Sequence, residues 1–358
     1  MKIVIMAGGT GGHVFPALAV ADVLRARGHE VIWMGTRQGL EARVAPAAGI
    51  PMEWIEVSGV RGKGWGTLLV SPLHLVRALS QAIGILKRLR PAAVLGMGGF
   101  ASGPGGLAAR LLGCPLVLHE QNAVPGVTNR VLSHVAKRVL AGFPDSFAPP
   151  RRASYVGNPV RTAIAALPTP ETRFAARTGP IRLLVVGGSQ GARVLNEIVP
   201  QTLAQLEAAQ RPEVRHQTGA RDGGKVLAAY RECGITAHVT PFIEDMADAY
   251  AWADLAICRA GALTVAELAA AGLGAILVPF EAAVDDHQTR NAQFLADAGA
   301  AVVLAQVQFS PRSLGAALQG VLHDRHALLD MAKRARALAE PDAAVKVAEA
   351  CLQAGGFA

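Results

Sequence analysis

Residues 8–13 read Gly-Gly-Thr-Gly-Gly-His, bare backbone on both sides of one hydroxyl and then an imidazole. They follow an apolar run, Lys2 to Ala7, with the composition of a buried parallel strand, and precede a stretch from Pro16 to Arg27 with helical spacing. A glycine turn between strand and helix offers N–H groups beside the positive end of the helix dipole, which favours an anion, commonly a phosphate. An imidazole at that point can take up and return a proton. It serves equally as a side chain that caps or packs against the first helix. Two phosphate motifs are excluded. The dinucleotide fingerprint G-x-G-x-x-G, counted from Gly9, ends on Val14, and the acid it needs after the second strand is replaced by Gly35, Thr36 and Arg37. No G-x-x-x-x-G-K-[ST] loop occurs.

Three further stretches carry polar chemistry. "GMGGFASGPGG" (96–106) holds more glycine than a turn requires, which points to a polar ligand. "GGSQGA" (187–192) places Ser189 at a helix start, where its hydroxyl either caps backbone N–H groups or meets an anion. In "CRAGALTVAE" (258–267) a strand ends at Cys258 and Arg259, a Gly-Ala turn follows, and a helix begins near Leu263 carrying Thr264 and Glu267. Glu267 is either a capping acid stabilised by the dipole or an acceptor for paired sugar hydroxyls, and Arg259 is placed to face a phosphate. The four cysteines are scattered, no His or Cys pair has zinc-ligand spacing, and no D-x-D pair occurs. No metal and no cofactor is expected.

To hold these turns the chain repeats one architecture. Strands are predicted at 2–7, 30–35, 51–57, 92–98, 115–120 and 138–143, and again from 181 and near 213–218, 237–243, 254–259, 274–280 and 300–304. Proline-rich "FPDSFAPPRR" and "ALPTPETR" lie between the halves. At 358 residues, 51% hydrophobic and 17% charged, the chain suits two cores built on parallel sheets buried on both faces. The expectation is an α/β protein: two doubly wound Rossmann-like domains facing a cleft, with the glycine turns at the carboxyl ends of the strands. The short apolar start does not read as a signal peptide. Pro91 to Ala109 is uncharged, but six glycines and two prolines argue against a spanning helix. A cytoplasmic protein is expected. The net charge of +8 implies an anionic partner, whereas 5% aromatic residues and no RNA-recognition signature argue against nucleic acid.

Taken in order, "GGTGGHVFPALAVA", "GMGGFASGPGG", "HEQNAVPGVTNR", "GNPVR", "GGSQGAR" and "CRAGALTVAE" resemble the MurG-type family of bacterial cell-wall N-acetylglucosaminyltransferases, which make lipid II from lipid I. The resemblance runs from residue 1 to about 305, and it is the set rather than any one motif that is specific. It implies a GT-B fold: an acceptor and membrane-associating domain over 1–162, a UDP-sugar domain over 163–340, and a helix at about 341–358 that packs back on the first. The implied donor is UDP-N-acetylglucosamine. The implied acceptor is undecaprenyl-pyrophosphoryl-N-acetylmuramoyl pentapeptide, and the product carries an inverted β-1,4 linkage. By the same resemblance Thr10, Gly11 and Gly12 lie near the donor sugar and the pyrophosphates, and Asn122 contacts the N-acetylglucosamine. Arg161 and Ser189 serve the diphosphate, and Ile243 meets the uracil edge. Ala262, Leu263, Thr264, Val265, Ala266 and Glu267 wrap the nucleotide with Glu267 on the ribose, and Gln288 completes the sugar site. One departure is Phe100, where the family commonly has tyrosine, so a mechanism needing a phenol there is in doubt.

Inverting glycosyl transfer needs a base for the acceptor hydroxyl and positive charge or dipoles for the leaving diphosphate. His13 is the first candidate base and Glu120 the second; helix N-termini with Arg161 or Arg259 would meet the diphosphate. For a lipid acceptor, residues 61–90 supply an apolar stretch with Arg61, Lys63, Arg77, Lys87, Arg88 and Arg90 along it. It reads either as a patch for the anionic cytoplasmic face of the inner membrane or as a helix covering the sheet. A UDP-sugar epimerase and a noncatalytic nucleotide-sugar-binding subunit are the rival functions.

Overall fold

The computed structural model describes residues 1–57, 65–149, 151–188, 191–281, 286–322 and 324–357, with the backbone alone at 65–73. Two units emerge from its contacts: Met1–Arg161 together with Glu340–Ala358, and Thr162–Ala339.

The first unit holds a seven-stranded sheet of β1 (Lys2–Met6), β2 (Glu30–Gly35), β3 (Met52–Trp54), β4 (Ala93–Gly96), β5 (Leu116–Glu120), β6 (Arg138–Ala141) and β7 (Ser154–Tyr155). Every pairing is parallel, in the order β3-β2-β1-β4-β5-β6-β7. Side chains alternate between two covered faces, which is why the strands read as unbroken apolar runs. Ile3, Ile5, Trp33 and Leu95 face one buried cluster. Val4, Met6, Ile32, Met34 and Val94 face the other. The helices are α1 (Gly11–Ala26), α2 (Glu41–Ala47), α3 (Trp65–Leu89), α4 (Ser102–Leu111) and α5 (Val127–Leu132). The closing helix, Ala343–Ala354, buries Val347, Ala348, Cys351 and Ala354 in the cluster that holds Ile3, Val20 and Leu24.

The second unit carries β8 (Arg182–Val186), β9 (Glu213–Gln217), β10 (Ala237–Thr240), β11 (Leu255–Cys258), β12 (Ala275–Leu277) and β13 (Ala301–Val303), in the order β10-β9-β8-β11-β12-β13 and again all parallel. Leu183, Val185, Leu195, Val199, Ile257 and Ile276 form the centre of its core. The predicted strands all appear, most of them shorter than expected because the apolar runs continue past the last paired residue into the connecting loops, as at Ile55, Phe242 and Val278. β7 was not predicted: two exposed residues at a sheet edge leave no apolar signal.

Candidate active site

In each sheet the strand order reverses once, between β1 and β4 and between β8 and β11. A doubly wound sheet opens a crevice at that reversal, outside the carboxyl ends of its strands. The glycine stretches leave those four strand ends.

In the first unit Trp33 anchors the end of β1, its buried indole Nε1–H donating to the Ala7 carbonyl at 2.8 Å. Beyond it the chain turns into α1 at Thr10, which has extended backbone and makes no side-chain cap. Gly9 and Thr10 are exposed and Gly11 and Gly12 half-buried. The loop after β4 lies directly against this turn. Gly99 has φ +83, and a Cβ there would stand 2.4 Å from the Gly8 carbonyl oxygen, so only glycine lets the two backbones meet. A residue the sequence reading overlooked holds the turn from the other side. Fully buried Glu41, at the start of α2, accepts from the Gly9 N–H at 3.0 Å, the Thr36 N–H at 3.0 Å and the Thr36 hydroxyl at 2.8 Å. Thr36 is where the dinucleotide motif would have had its acid; the carboxylate arrives five residues later instead.

His13 is half-buried, and its Nδ1 lies 2.8 Å from Gln121 Oε1. Gln121 Nε2 in turn donates to His119 Nδ1 at 3.0 Å and to the His119 carbonyl at 3.2 Å, and His119 Nε2 donates to the Gly157 carbonyl at 2.9 Å. His119 is wholly buried, which draws its imidazole down to about 4, against the opposing pull of its bond to Gly157. Glu120 is buried and spends both oxygens on structure. Oε1 accepts from the N–H and Nδ2 of Asn122 at 2.9 and 3.1 Å, and Oε2 from the Gly126 N–H at 3.1 Å and Asn129 Nδ2 at 2.9 Å. Asn158, from "GNPVR", donates to the Gln121 carbonyl at 2.9 Å. Arg161 stands over the Phe15 ring, 5.4 Å from its centroid. Phe100 is 54% exposed beside the second glycine loop.

In the second unit Ser189 lies outside the described residues, on the loop between Gly188 and Gly191. Gln217, at the end of β9, pins that loop by donating to the Gly188 carbonyl at 2.8 Å, and reaches the Pro241 carbonyl at 3.0 Å two residues before half-buried Ile243. The helix Ala262–Ala271 starts at Gly261, so its first N–H groups point out of the turn after β11. Ala262, Val265 and Glu267 are buried, whereas Leu263, Thr264 and Ala266 are half-buried. Buried Tyr250 donates its hydroxyl to Glu267 Oε2 at 3.1 Å. Gln288 accepts at Oε1 from the Phe280 N–H at 2.9 Å and the Ala260 N–H at 3.3 Å, tying two loops together. Arg259 donates Nη1 to the Val278 and Pro279 carbonyls at 3.0 and 3.3 Å, and burial draws its guanidinium below the usual range.

The structure therefore gathers Thr10, Gly11, Gly12, His13, Glu120 and Asn122 at the switch point of one sheet, and Ala262 to Glu267 with Gln288 at that of the other. Twin parallel sheets with paired glycine loops at their switch points are the frame of a two-domain glycosyltransferase. The glycosyltransferase family 28 N-terminal domain matches residues 3–141 and the family 28 C-terminal domain residues 182–347. A Nitrosococcus oceani protein named "UDP-N-acetylglucosamine--N-acetylmuramyl-(pentapeptide) pyrophosphoryl-undecaprenol N-acetylglucosamine transferase" is 55% identical over 99% of this chain and 98% of its own. Its namesake from Alkalilimnicola ehrlichii is 57% identical over 99% of both. The crystal structure of Acinetobacter baumannii MurG superposes with a TM-score of 0.86 at 44% identity, covering 98% of this chain and 99% of that one. The chain belongs to this family of N-acetylglucosamine transferases, the MurG family.

Proposed function

We propose that the protein transfers N-acetylglucosamine from UDP-N-acetylglucosamine to undecaprenyl-pyrophosphoryl-N-acetylmuramoyl pentapeptide, with inversion, forming the β-1,4 linkage of lipid II. The observation that carries this is the identity of more than half of all residues, over nearly the whole chain, with relatives named for that transfer. In the reaction the acceptor 4-oxygen forms its bond to the sugar's anomeric carbon and loses its proton to the His13 imidazole. The bond from that carbon to the diphosphate breaks, and UDP departs with the electron pair. His13 takes the base role because the oxygens of Glu120 are already engaged by four donors; Glu120 instead shapes the loop that carries Asn122. Backbone N–H groups at the glycine turns and Arg161 offset the charge developing on the diphosphate. Arg259 fixes the loop after β12. In the second unit Glu267, oriented by Tyr250, accepts from the ribose hydroxyls, Ile243 meets the uracil, and Ser189 and the start of the helix Ala262–Ala271 serve the phosphates. Gln288 keeps its Nε2 donors for the sugar.

The same reading places the protein at the cytoplasmic face of the inner membrane as a peripheral enzyme. Among the described residues no helix is long and apolar enough to cross a membrane. Neighbouring helices α3, α4 and α5 instead leave Leu75, Val76, Leu107, Leu111, Val127 and Val131 exposed. That is more apolar surface than a covering helix needs. Arg61 to Leu73 of the stretch singled out in the sequence lie outside the described side chains. Of the basic residues in it, Arg77 pairs with Glu56 at 2.8 Å and Arg88 with Glu53 at 2.7 Å, which leaves Lys87 and Arg90, together with Arg110 on α4, as exposed basic groups with no ion pair among the described residues.

UDP release from UDP-N-acetylglucosamine, with and without a lipid I analogue, tests the function. Release that requires the acceptor is expected. Conversion of the nucleotide sugar without an acceptor would mark an epimerase, and tight binding without turnover a noncatalytic subunit.

A further inference from the structure

We infer that Gln121 and His119 are positioning residues that hold His13 as its Nδ1–H tautomer, leaving Nε2 bare to take the acceptor proton; the inference rests on His13 being the base. The direction of each hydrogen bond follows from groups whose roles are fixed. The Gly157 carbonyl only accepts, so His119 Nε2, 2.9 Å away, carries the hydrogen. Buried without a counter-charge in hydrogen-bond contact, the ring stays neutral, so its Nδ1 is the bare nitrogen. Gln121 donates to that nitrogen, and the same amide atom lies 3.2 Å from the His119 carbonyl, a second obligate acceptor. Two acceptors on one atom identify it as the amide nitrogen and turn the amide oxygen toward His13. Only a donor at His13 Nδ1 completes the 2.8 Å contact.

The relay is rigid. Gln121 and His119 are both buried, and Asn158 holds the Gln121 main chain. One face of the His13 ring is closed by the second glycine loop, where a Cβ on Gly98 would stand 2.8 Å from Nδ1 and Cε1. A neutral imidazole left alone interconverts its two tautomers, and the Nε2–H form is useless as a base on that side. The relay removes that form without placing a charge beside the ring, as a carboxylate partner would.

The test is the ¹⁵N spectrum of the full chain labelled at histidine, recorded at pH 8, with His13→Ala identifying the signal. The expected result is Nδ1–H with bare Nε2 at His13, and the opposite tautomer at His119. An Nε2–H or averaged His13 in the wild type overturns the inference without any variant having to fold. Gln121→Leu should give an averaged His13 signal and lower kcat by about 10- to 100-fold, with KM for UDP-N-acetylglucosamine unchanged. Loss of activity with the tautomer intact would overturn it as well. If the wild-type tautomer is as expected but His13→Ala stays active, the base assignment falls and the relay stands.

Discussion

The roles proposed for His13 and Glu267 separate chemistry from binding. His13→Ala should lower turnover by about 10²–10⁴, the usual share of a general base, with donor affinity nearly intact. A folded variant keeping more than a third of wild-type turnover would return proton removal to solvent. Glu267→Ala should do the reverse, weakening donor binding by roughly 1.5–3 kcal/mol through lost hydrogen bonds to a charged acceptor. Calorimetry with UDP-N-acetylglucosamine reads it, and unchanged affinity would take Glu267 off the ribose. At this scale the sequence was legible wherever neighbours in the chain are neighbours in space. His13 beside its glycines and Glu267 beside its turn are local patterns. Glu41 and Gln121 are not: one meets Gly9 across 32 positions and the other meets His13 across 108, and no spacing rule reports a contact made by folding. Gln121 was in view inside "HEQN", but nothing in a linear reading tells a relay from an ordinary strand end.

The elements were the most legible part. Parallel strands buried on both faces leave continuous apolar runs, and the four runs at the switch points lead into glycine turns, where at Gly99 the Gly8 backbone passes too close for a side chain. What the runs left out is the pairing of surface charge, as on α3, where two arginines meet glutamates from the β3 strand and the loop after it. That changes the membrane experiment. Replacing Leu107, Leu111 and Val131 with serine should weaken binding to anionic vesicles at every salt concentration, by about 1–2 kcal/mol per side chain that enters the interface. Replacing Lys87 and Arg110 with glutamine should weaken it by about 1 kcal/mol each, and only at low ionic strength. Turnover on a short-chain, water-soluble acceptor should hold in both sets. Sedimentation with vesicles, paired with that assay, checks the expectation; equal loss on both acceptors would mean that α4 and α5 serve the fold.

Among the described residues each unit holds one imidazole deep in its core, His119 in the first and His216 in the second, where burial draws the rings from 6.5 to about 4 and about 3. Above pH 6.5 both states of each ring are neutral and cost nothing. Below it the unfolded chain takes up protons that the native core refuses, so stability falls as pH drops from 6.5 toward 4. Chemical denaturation at pH 7 and pH 5 should show a lower midpoint at pH 5. His216→Gln should shrink the difference, and an unchanged midpoint would mean that the cores admit the charge. The first unit is also built from both ends of the chain, since the helix Ala343–Ala354 seals the cluster around Ile3, Val20 and Leu24. On the ribosome its sheet therefore emerges early and waits, part of one apolar face uncovered, while the whole second unit is made. The domain begun first is completed only after the second, and the helix Ala343–Ala354 acts as its completion mark. A chain stopped after Ala339 should carry a second unit that melts normally and a first unit that binds hydrophobic dye, which would make the interrupted product easy for proteolysis to find.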